Sequence, residues 1–463
     1  MQLQLDREST IPLVEQLVQA ITLWLEARRV RSGARMPSIR QVARAHAISV
    51  STVVEAYARL VARGALEPRH GSGFFVSPSA AADHAVVQAQ PADERWAQFE
   101  AAPGQLRLGC GWVPDDWRDD EAVAHAIRRV TREEPASLFS YNAPLGLVTL
   151  RQQVQRRLAA VHVQAGLEQI LTTQGASHGL DLIVRTLLSP GDTVIVEDPG
   201  YYNLFNLLAL HRIRVLPVPR LRDGPDAAAV EALLREHRPR LMFINSMYHN
   251  PTGTSLAPSV AHRLLKLAEQ HGFQLVEDDI YADFQNGPST RLAALDGLER
   301  VLYLASFSKT LSCSLRVGYL AGPAPLVQRL GEVAMCTGLG SQRFAESVVA
   351  DLLASGAYRR SVSRLRQRLA GRMADTLLML AEHGWDVFTA PEGGMFVWAR
   401  FPGAAYADYT AVAGKLGIVL SSGNGFRPNG EATAWLRLNV AYSADPRARA
   451  FLAHVAKRPR AQP

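Results

Sequence analysis

The sequence predicts a multidomain protein in which a small, mainly α-helical N-terminal domain precedes a large α/β domain. Its 463 residues are enough for two or three domains. Apolar residues follow helical spacing up to residue 77, whereas helical patterns alternate with short apolar runs from about residue 105 onward. An Ala-, Gln- and Pro-rich segment without a sustained apolar stripe lies between them. We therefore expect domains at residues 1–77 and 106–463, joined by a linker over residues 78–105.

The composition excludes several classes of protein. Hydrophobic residues make up 48% of the chain and charged residues 20%, which is too apolar for a disordered chain. No uncharged apolar run reaches the roughly 18 residues that a membrane span needs. The N-terminus lacks a secretory-signal pattern, and the chain's cysteines are too few for a disulfide framework. We expect a cytoplasmic protein with no membrane partner and, since no zinc-type Cys/His spacing occurs, no metal site.

Two helices are predicted at the start of the N-terminal domain. The first follows Pro12 and carries one apolar stripe. The second begins after Ser38, because Gln41 three residues later completes a capping-box pattern, and it runs to about Ala45. The stripe of the first helix consists of Leu13, Leu17, Ala20, Ile21 and Trp24.

A third helix and a hairpin follow. A turn over residues 46–51 precedes the helix, in which Thr52 and Glu55 repeat the capping-box spacing and Gly64 can supply the positive φ that ends it. Residues 66–68 and 74–76 then flank a glycine-rich tip, as in a hairpin. Two short helices about a tight turn, followed by a hairpin, are the arrangement of a winged helix-turn-helix.

This arrangement predicts binding to double-stranded DNA. The first 77 residues contain ten Arg and six acidic residues, so they carry more than half of the net charge of +7. The N-terminal end of the third helix would enter the major groove. A small helical cap with solvated arginines is the alternative. The candidate DNA contacts are Ser49, Ser51 and Thr52 on the third helix, with Arg40, Arg69 and His70 as phosphate or minor-groove contacts.

The stretch from Met36 to Val76 resembles the GntR-family winged-helix signature nearly throughout, including the Gly-Ser-Gly wing. The resemblance implies operator binding. One departure concerns Val50 and Val54, which stand where many GntR-family members carry arginine in the recognition helix. Fewer charged side chains remain to contact DNA bases, so the operator sequence does not follow from the resemblance.

The large domain is predicted to contain a mostly parallel sheet with helices on both faces, because buried apolar runs alternate with helical patterns. Ligands of such sheets gather where strands end in loops. The unusual polar residues follow several of the runs, in loops at residues 197–202, 245–253, 277–281 and 306–310. The predicted strands are residues 193–196, 241–244, 274–276, 301–304 and 319–321.

Lys309 is the candidate catalytic residue. The chain contains four lysines against 46 arginines, so a lysine just after an apolar strand suggests chemistry that needs a primary amine. A solvated surface lysine is the alternative. Pyridoxal 5'-phosphate (PLP) needs such a lysine for a Schiff base, together with an acid for its pyridine nitrogen, donors for its phenolate oxygen and an anion site for its phosphate.

Each of these needs has a candidate. Asp278 follows an apolar strand and is placed to pair with the pyridinium, while Tyr281 and Asn250 can bond the phenolate. The adjacent Asp279 is expected to be an exposed loop acid. For the phosphate, Gly175, Ala176 and Ser177 precede an apolar helical run, so backbone N–H groups would face the anion. The remaining members of the phosphate cup are predicted to be Ser306, Ser308 and Arg316.

Residues 105 to about 455 resemble the fold-type I, aspartate-aminotransferase-like PLP proteins. The resemblance implies that Lys309 forms the Schiff base with PLP and that Tyr201 stacks on its ring. It also implies that Tyr141 reaches the phosphate of the partner subunit and that Arg437 binds the α-carboxylate of an amino acid. Without the resemblance, a surface-strand arginine would be the default interpretation of Arg437.

The order of the two domains resembles that of MocR/GabR-type transcriptional regulators. This resemblance implies a homodimer that binds operator DNA and senses a small amine or amino acid when the amine displaces Lys309 from the aldehyde of PLP. Two alternatives stay open: an active PLP-dependent aminotransferase with an accessory DNA-binding domain, and a regulator that senses PLP itself. Trp112 and Trp117 either line the ligand pocket or pack in the core.

Overall fold

The computed structural model describes residues 3, 5, 6, 12–27, 30, 33–69, 71–77, 98–100, 102–285, 287 and 289–457. The predicted wing-tip contact His70 and most of the predicted linker lie outside the described residues. The chain divides into two compact units, Met1–Ala92 and Asp93–Pro463. None of the described helices is both long and apolar enough to cross a membrane.

The N-terminal unit contains helices α1 (Leu13–Ala27), α2 (Ile39–His46) and α3 (Val50–Ala62), followed by strands β1 (Leu66–Arg69) and β2 (Gly73–Val76). The strands form an antiparallel hairpin in which Leu66 lies opposite Val76. The helices pack around Tyr57, whose hydroxyl donates to the carbonyl of Pro37 at 2.8 Å and whose ring contacts Phe74 edge-on. The predicted winged helix-turn-helix is confirmed.

The helix ends confirm one predicted cap and correct another. Ser38 and Gln41 form the predicted capping box of α2. The cap of α3 is Ser49, however, whose hydroxyl accepts the backbone N–H of Thr52 at 3.0 Å. Glu55 instead pairs with Arg59 one turn later in the same helix. The predicted capping box of Thr52 and Glu55 was therefore wrong, because the helix begins before Thr52.

In the large unit, the central sheet and a smaller sheet have the following bounds. The central strands are β3 (Ile170–Thr173), β4 (Thr193–Asp198), β5 (Arg214–Leu221), β6 (Gly224–Pro225), β7 (Leu241–Asn245), β8 (Gln274–Asp278), β9 (Val301–Ser306) and β10 (Gly318–Ala321). The smaller sheet consists of β11 (Asp386–Val387), β12 (Phe396–Arg400) and β13 (Leu436–Asn439).

The helices of this unit are α4 (Asp120–Glu133), α5 (Val148–Ala160), α6 (Ala176–Leu187), α7 (Tyr202–Leu210), α8 (Ala227–Glu236), α9 (Pro258–His271), α10 (Leu292–Asp296), α11 (Ala324–Gly338), α12 (Arg343–Ala354), α13 (Ala357–Glu382), α14 (Tyr406–Leu416) and α15 (Pro446–Ala456).

The central sheet has eight strands in the order β3-β10-β9-β8-β7-β4-β5-β6. From β9 to β5 all neighbours are parallel, so the carboxyl ends of these strands meet at one edge. Strand β10 runs antiparallel to both of its neighbours, and β6 runs antiparallel to β5. The sheet is thus mixed, with the predicted parallel strands at its centre.

Alternate residues of the central strands enter different hydrophobic clusters, as the pleat requires. In β4, Ile195 belongs to one cluster, whereas Val194 and Val196 belong to another. Both faces of the sheet are therefore covered, as predicted. The smaller sheet has a third cluster, in which Trp385 stacks on Tyr409.

Candidate active site

The predicted PLP residues meet in one cavity of about 270 Å³ at the carboxyl ends of the central parallel strands. The cavity also reaches the smaller sheet through β13. Its walls include these predicted residues: Ala176, Ser177, Tyr201, Asn250, Asp278, Tyr281, Ser306, Ser308, Lys309, Arg316 and Arg437. Gly175 directly precedes Ala176 in the chain.

Lys309 follows β9, and its ammonium Nζ donates to the carbonyl oxygen of Gly111 at 2.8 Å. Burial lowers the pKa of this lysine, because the charged form loses its water, and the nearby Arg437 cation acts in the same direction. A lowered pKa increases the fraction of neutral amine. Lys309 is therefore suited to act as a nucleophile rather than as a solvated cation.

Asp278 ends β8, and burial raises its pKa to about 7. Its carboxylate accepts the backbone N–H of Ile280 at 3.3 Å, but it forms no ion pair within the described part of the chain. A cationic ligand atom would restore its charge. The expectation for Asp279 was wrong: it is buried, and its carboxylate accepts from Arg291 at 2.6 Å and from the hydroxyl of Tyr303 at 2.8 Å.

Three further predicted side chains line the same cavity as Asp278. Tyr281 is buried edge-on against the ring of Phe396. The amide oxygen of Asn250 accepts from Arg437 at 2.9 Å. The hydroxyl of Tyr201 bonds Ser177, while burial raises the tyrosine's pKa and keeps it neutral.

The residues predicted to bind the phosphate include those of the turn from β3 into α6. Gly175 has a φ of 81°, and a Cβ there would lie only 2.4 Å from the guanidinium of Arg316. That guanidinium donates to the hydroxyl of Ser308 at 3.3 Å and to the carbonyl of Gln174 at 3.1 Å. A cation, hydroxyl groups and a helix N-terminus thus meet where an anion can bind.

Arg437 lies in β13 and is 1% exposed. Its guanidinium donates to Asn250 and, at 2.7 Å, to the carbonyl of Gly109, and it stacks between the rings of Phe396 and Phe426. Its Nε has no hydrogen-bond partner, and no acidic side chain pairs with it among the described residues. Arg437 is therefore not a surface-strand arginine but a buried cation that can accept a carboxylate.

Several residues that line the same cavity were not predicted, and Trp112 was predicted only as one of two alternatives. Gly111 contributes a carbonyl, and a backbone atom leaves no mark in a motif. Trp112 lines the cavity with its ring 5.2 Å from that of Phe99, whereas Trp117 packs against the third cluster and beneath Arg368. The two tryptophans thus have separate roles. The other unpredicted lining residues include Gln98, Tyr202, Asn203, Ile280 and Cys313.

Tyr141 does not line the cavity of its own chain. It lies in the loop before α5 and is 75% exposed. A role in the site of a partner subunit stays a prediction.

In the N-terminal unit, the described DNA-contact candidates are exposed, apart from Thr52, which is partly buried. The hydroxyls of Ser51 and Thr52 are 2.8 and 2.6 Å from that of Ser49. Arg40 is exposed, whereas Arg69 bonds Glu67 and covers the ring of Phe75. In the recognition helix, Val50 and Val54 are 51% and 46% exposed. Apolar side chains thus stand on the face that would meet the DNA.

These features fit PLP. Arg437 Nε has no hydrogen-bond partner, and the Asp278 carboxylate has no ion-pair partner among the described residues. The first could bind the carboxylate of an amino acid, and the second could bind the pyridinium of PLP. The absence of a Cβ at Gly175 leaves the anion cup open. The residues present therefore supply a nucleophilic amine, a ring-nitrogen acid and an anion site within one cavity.

The fold and site define a class of protein that joins a DNA-binding head to an aminotransferase domain. The chain belongs to the class I and II aminotransferase family, whose model matches residues 103–455. The model of the bacterial regulatory proteins of the gntR family matches residues 13–76. The predicted fold class and the predicted family are confirmed.

Full-length relatives share both parts. The HTH-type transcriptional regulator YisV of Bacillus subtilis is 28% identical over 424 residues, which cover 86% of each chain. The probable rhizopine catabolism regulatory protein MocR of Rhizobium meliloti is also 28% identical, over 86% of this chain and 84% of its own. The protein is thus a MocR-like transcriptional regulator with an aminotransferase-like domain.

Enzymes resemble the large domain alone. The 2-aminoadipate transaminase of Thermus thermophilus is 30% identical over 73% of this chain and 86% of its own. The solved α-aminoadipate aminotransferase LysN of Thermus thermophilus, complexed with N-(5'-phosphopyridoxyl)-L-leucine, is 28% identical with a TM-score of 0.71 and covers 78% of this chain and 94% of its own.

Proposed function

We propose that this regulator binds PLP and senses a small amine or amino acid through Schiff-base chemistry in the large domain. The observation that carries the proposal is the convergence of Lys309, Asp278 and Arg437 in one cavity of a chain that also carries a GntR-type head. When bound, PLP supplies an aldehyde that condenses with primary amines.

The residues of this chain each contribute a separate function. Lys309 supplies a primary amine whose lowered pKa favours the neutral form. The Asp278 carboxylate keeps the pyridine nitrogen of PLP protonated, while Asn250 and Tyr281 orient the phenolate oxygen of the ring. Gly175, Ala176, Ser177, Ser306, Ser308 and Arg316 bind the phosphate, and Tyr201 covers the ring.

Arg437 selects ligands that carry a carboxylate. A planar guanidinium binds a carboxylate through two hydrogen bonds, and burial without an acidic partner strengthens the attraction. Amino acids should consequently bind more tightly than simple amines of the same length.

The regulator acts on double-stranded DNA as a homodimer in the cytoplasm, where the operator lies. Tyr141 from one subunit completes the phosphate site of the other. Ligand binding can change DNA affinity only if the two DNA-binding arrangements bind the ligand differently, and a coupling of about 1–3 kcal/mol is typical.

The test measures fluorescence anisotropy of the PLP-loaded protein on its own upstream intergenic DNA, against a scrambled duplex of equal length, over a salt series and with added amino acids. We expect specific binding whose affinity changes with the effector. Lys309→Ala should abolish the ligand response, whereas Lys266→Ala, at an exposed lysine of α9, should retain it. Equal, steeply salt-dependent affinity for both duplexes would contradict sequence-specific regulation.

An active aminotransferase is the second candidate, favoured by the similarity to 2-aminoadipate transaminase. In that case the Lys309 amine would also serve as a general base toward the bound amino acid. Turnover of amino and keto acid pairs tests this function. A response of DNA affinity to PLP alone would instead identify a PLP sensor.

A further inference from the structure

Gln98 carries an unpaired polar atom in the wall of the active-site cavity. The residue is 4% exposed, and its Nε2 donates to the hydroxyl of Tyr202 at 2.7 Å. Its Oε1 has no hydrogen-bond partner in the described part of the chain. Buried acceptors are nearly always paired, so an open one in a ligand cavity points to a ligand donor.

The Gln98–Tyr202 pair stands between two cavities. Both residues line the cavity that holds Lys309 and Arg437, and both also line a neighbouring cavity of about 470 Å³. No other residue is common to the two walls among the described residues. A ligand group that extends from the first cavity toward the second must therefore pass this pair.

The neighbouring cavity is polar but has little free charge. Asn424 and Asn429 line it, and its only lining cation among the described residues, Arg427, bonds both carboxylate oxygens of Asp198 at 2.5 and 2.9 Å. The cavity is thus suited to a polar side chain rather than to an acidic one. Nearby, the Phe99–Trp112 ring pair offers an apolar wall for an aliphatic stem.

We propose that Gln98 Oε1 accepts a hydrogen bond from the side chain of the bound amino acid, which makes Gln98 a specificity-determining residue. The inference rests on the proposed function, in which Lys309 and Arg437 take up the α-amine and the α-carboxylate. The donor to Gln98 Oε1 must therefore belong to the side chain of the amino acid, because its α-amine and α-carboxylate are already bound. The ligand class is therefore amino acids with an ammonium, amide or hydroxyl side chain.

Two pairs of amino acids isolate this hydrogen bond. L-Ornithine differs from L-norvaline by a terminal amine, and L-glutamine differs from L-glutamate by an amide in place of a carboxylate. An aliphatic side chain leaves Gln98 unpaired, and a carboxylate places acceptor against acceptor. We expect ornithine and glutamine to bind at least about tenfold more tightly than norvaline and glutamate.

The experiment titrates the full-length, PLP-loaded protein with these four amino acids and follows the cofactor absorbance and the ligand-induced shift in Tm. Gln98→Leu should reduce both affinity ratios to about one. Gln98→Glu, which keeps the acceptor and adds a charge, should raise the preference for ornithine. Gln328→Leu, at an exposed glutamine of α11, is the matched control.

The possible failures are distinguishable. Unchanged ratios in Gln98→Leu, in a protein with wild-type PLP binding, would overturn the role of Gln98 alone. Because Gln98→Glu keeps the shape of the side chain, a lack of any change in ornithine preference would also overturn it. A wild-type protein that responds to no amino acid would contradict the proposed sensing function, and the inference with it.

Discussion

At the scale of single residues, burial gives the active-site groups their chemical character. Burial raises the pKa of Asp278 to about 7 and lowers that of Lys309, because water no longer stabilises their charged forms. Burial also lowers the pKa of Arg437, which stays a cation because guanidinium is such a weak acid, and its Nε has no hydrogen-bond partner in the described chain. A bound ligand of complementary charge would therefore stabilise the charged form of each group.

Asp278 should make the stability of the PLP-free protein fall as the pH rises. An aspartate in water has a pKa of 3.8, whereas Asp278 has a pKa of about 7 in the folded protein, so the folded state holds the extra proton between these values. Stability is lost over this range as Asp278 ionises. Asp278→Asn should flatten part of the decline in Tm between about pH 4.5 and 7.5.

PLP should also reduce that decline, because a pyridinium favours the ionised carboxylate. Thermal unfolding of both proteins, with and without PLP, checks this prediction. The buried Glu277, whose pKa is also raised to about 7, remains in both and accounts for the residual slope. An identical pH dependence for the variant and the wild type would contradict the assignment.

Arg437→Met should weaken the binding of amino acids by about 30-fold or more, since truncating one partner of a buried charge pair costs about 2–5 kcal/mol. Amines that lack a carboxylate should bind with unchanged affinity. Titration of the PLP-loaded protein with L-norvaline and n-butylamine separates the two effects. Equal losses for both ligands would show that the variant damages the cavity as a whole.

The candidate site was predictable where a side chain stands in a motif. Lys309, Asp278 and Arg437 follow or lie in apolar strands, and the cavity holds all three. Lining residues such as Gln98 and Gly111 were not predictable, because they stand in no motif and reach the site only through long-range contacts. The prediction for Asp279 was wrong since Arg291, its buried partner, is set by the fold and not by spacing.

At the scale of elements, the tight turn from β3 into α6 places the N-terminus of α6 beside Arg316. Gly175 permits both the positive φ and the close approach of the guanidinium. The backbone conformation of this turn therefore brings the N-terminus of α6 and the Arg316 guanidinium together at the proposed phosphate site.

Gly175→Ala should lower the affinity for PLP by about tenfold or more, because the new methyl group displaces Arg316 and strains the turn. Gly191→Ala is the matched control: its φ of 93° imposes a similar strain, but nothing lies within 4 Å of the added Cβ. Both variants should lose stability. If both also lose PLP equally, strain alone explains the effect, and the contact with Arg316 is unimportant.

Element prediction succeeded for the buried parallel strands and failed elsewhere for physical reasons. The five predicted strands lie within two residues of β4, β7, β8, β9 and β10. Strand β5 was missed because Pro217 and Pro219 argue against a strand, yet it lies next to the sheet edge, where β6 pairs with only two of its residues. The direction of β10 depends on its long-range pairing and has no local signal.

At the scale of the whole molecule, the proposed role of the exposed Tyr141 would make PLP binding depend on assembly. If it completes the partner's phosphate site, Tyr141→Phe should weaken PLP binding although the side chain lies outside its own cavity. The dimer should have twice the chain mass of 50.6 kDa, which light scattering after gel filtration can check.

Mixing two defective chains tests this arrangement. Lys309→Ala and Tyr141→Phe each damage a site, but a mixed dimer contains one site in which both residues are native. We expect the purified mixed dimer, isolated after co-expression with two different affinity tags, to show about half of the ligand response of a wild-type dimer, as judged by cofactor absorbance. A failure to complement would place Tyr141 outside the partner's site.

The cavity lies between the two sheets of the large domain. Lys309 and Asp278 follow strands of the central sheet, whereas Arg437 lies in the smaller one. A ligand held by both is a non-covalent cross-link between two separately packed cores, and parting the sheets would require its release. Amide hydrogens in both sheets should therefore exchange more slowly with solvent deuterium in the presence of an amino acid, including those far from any ligand atom.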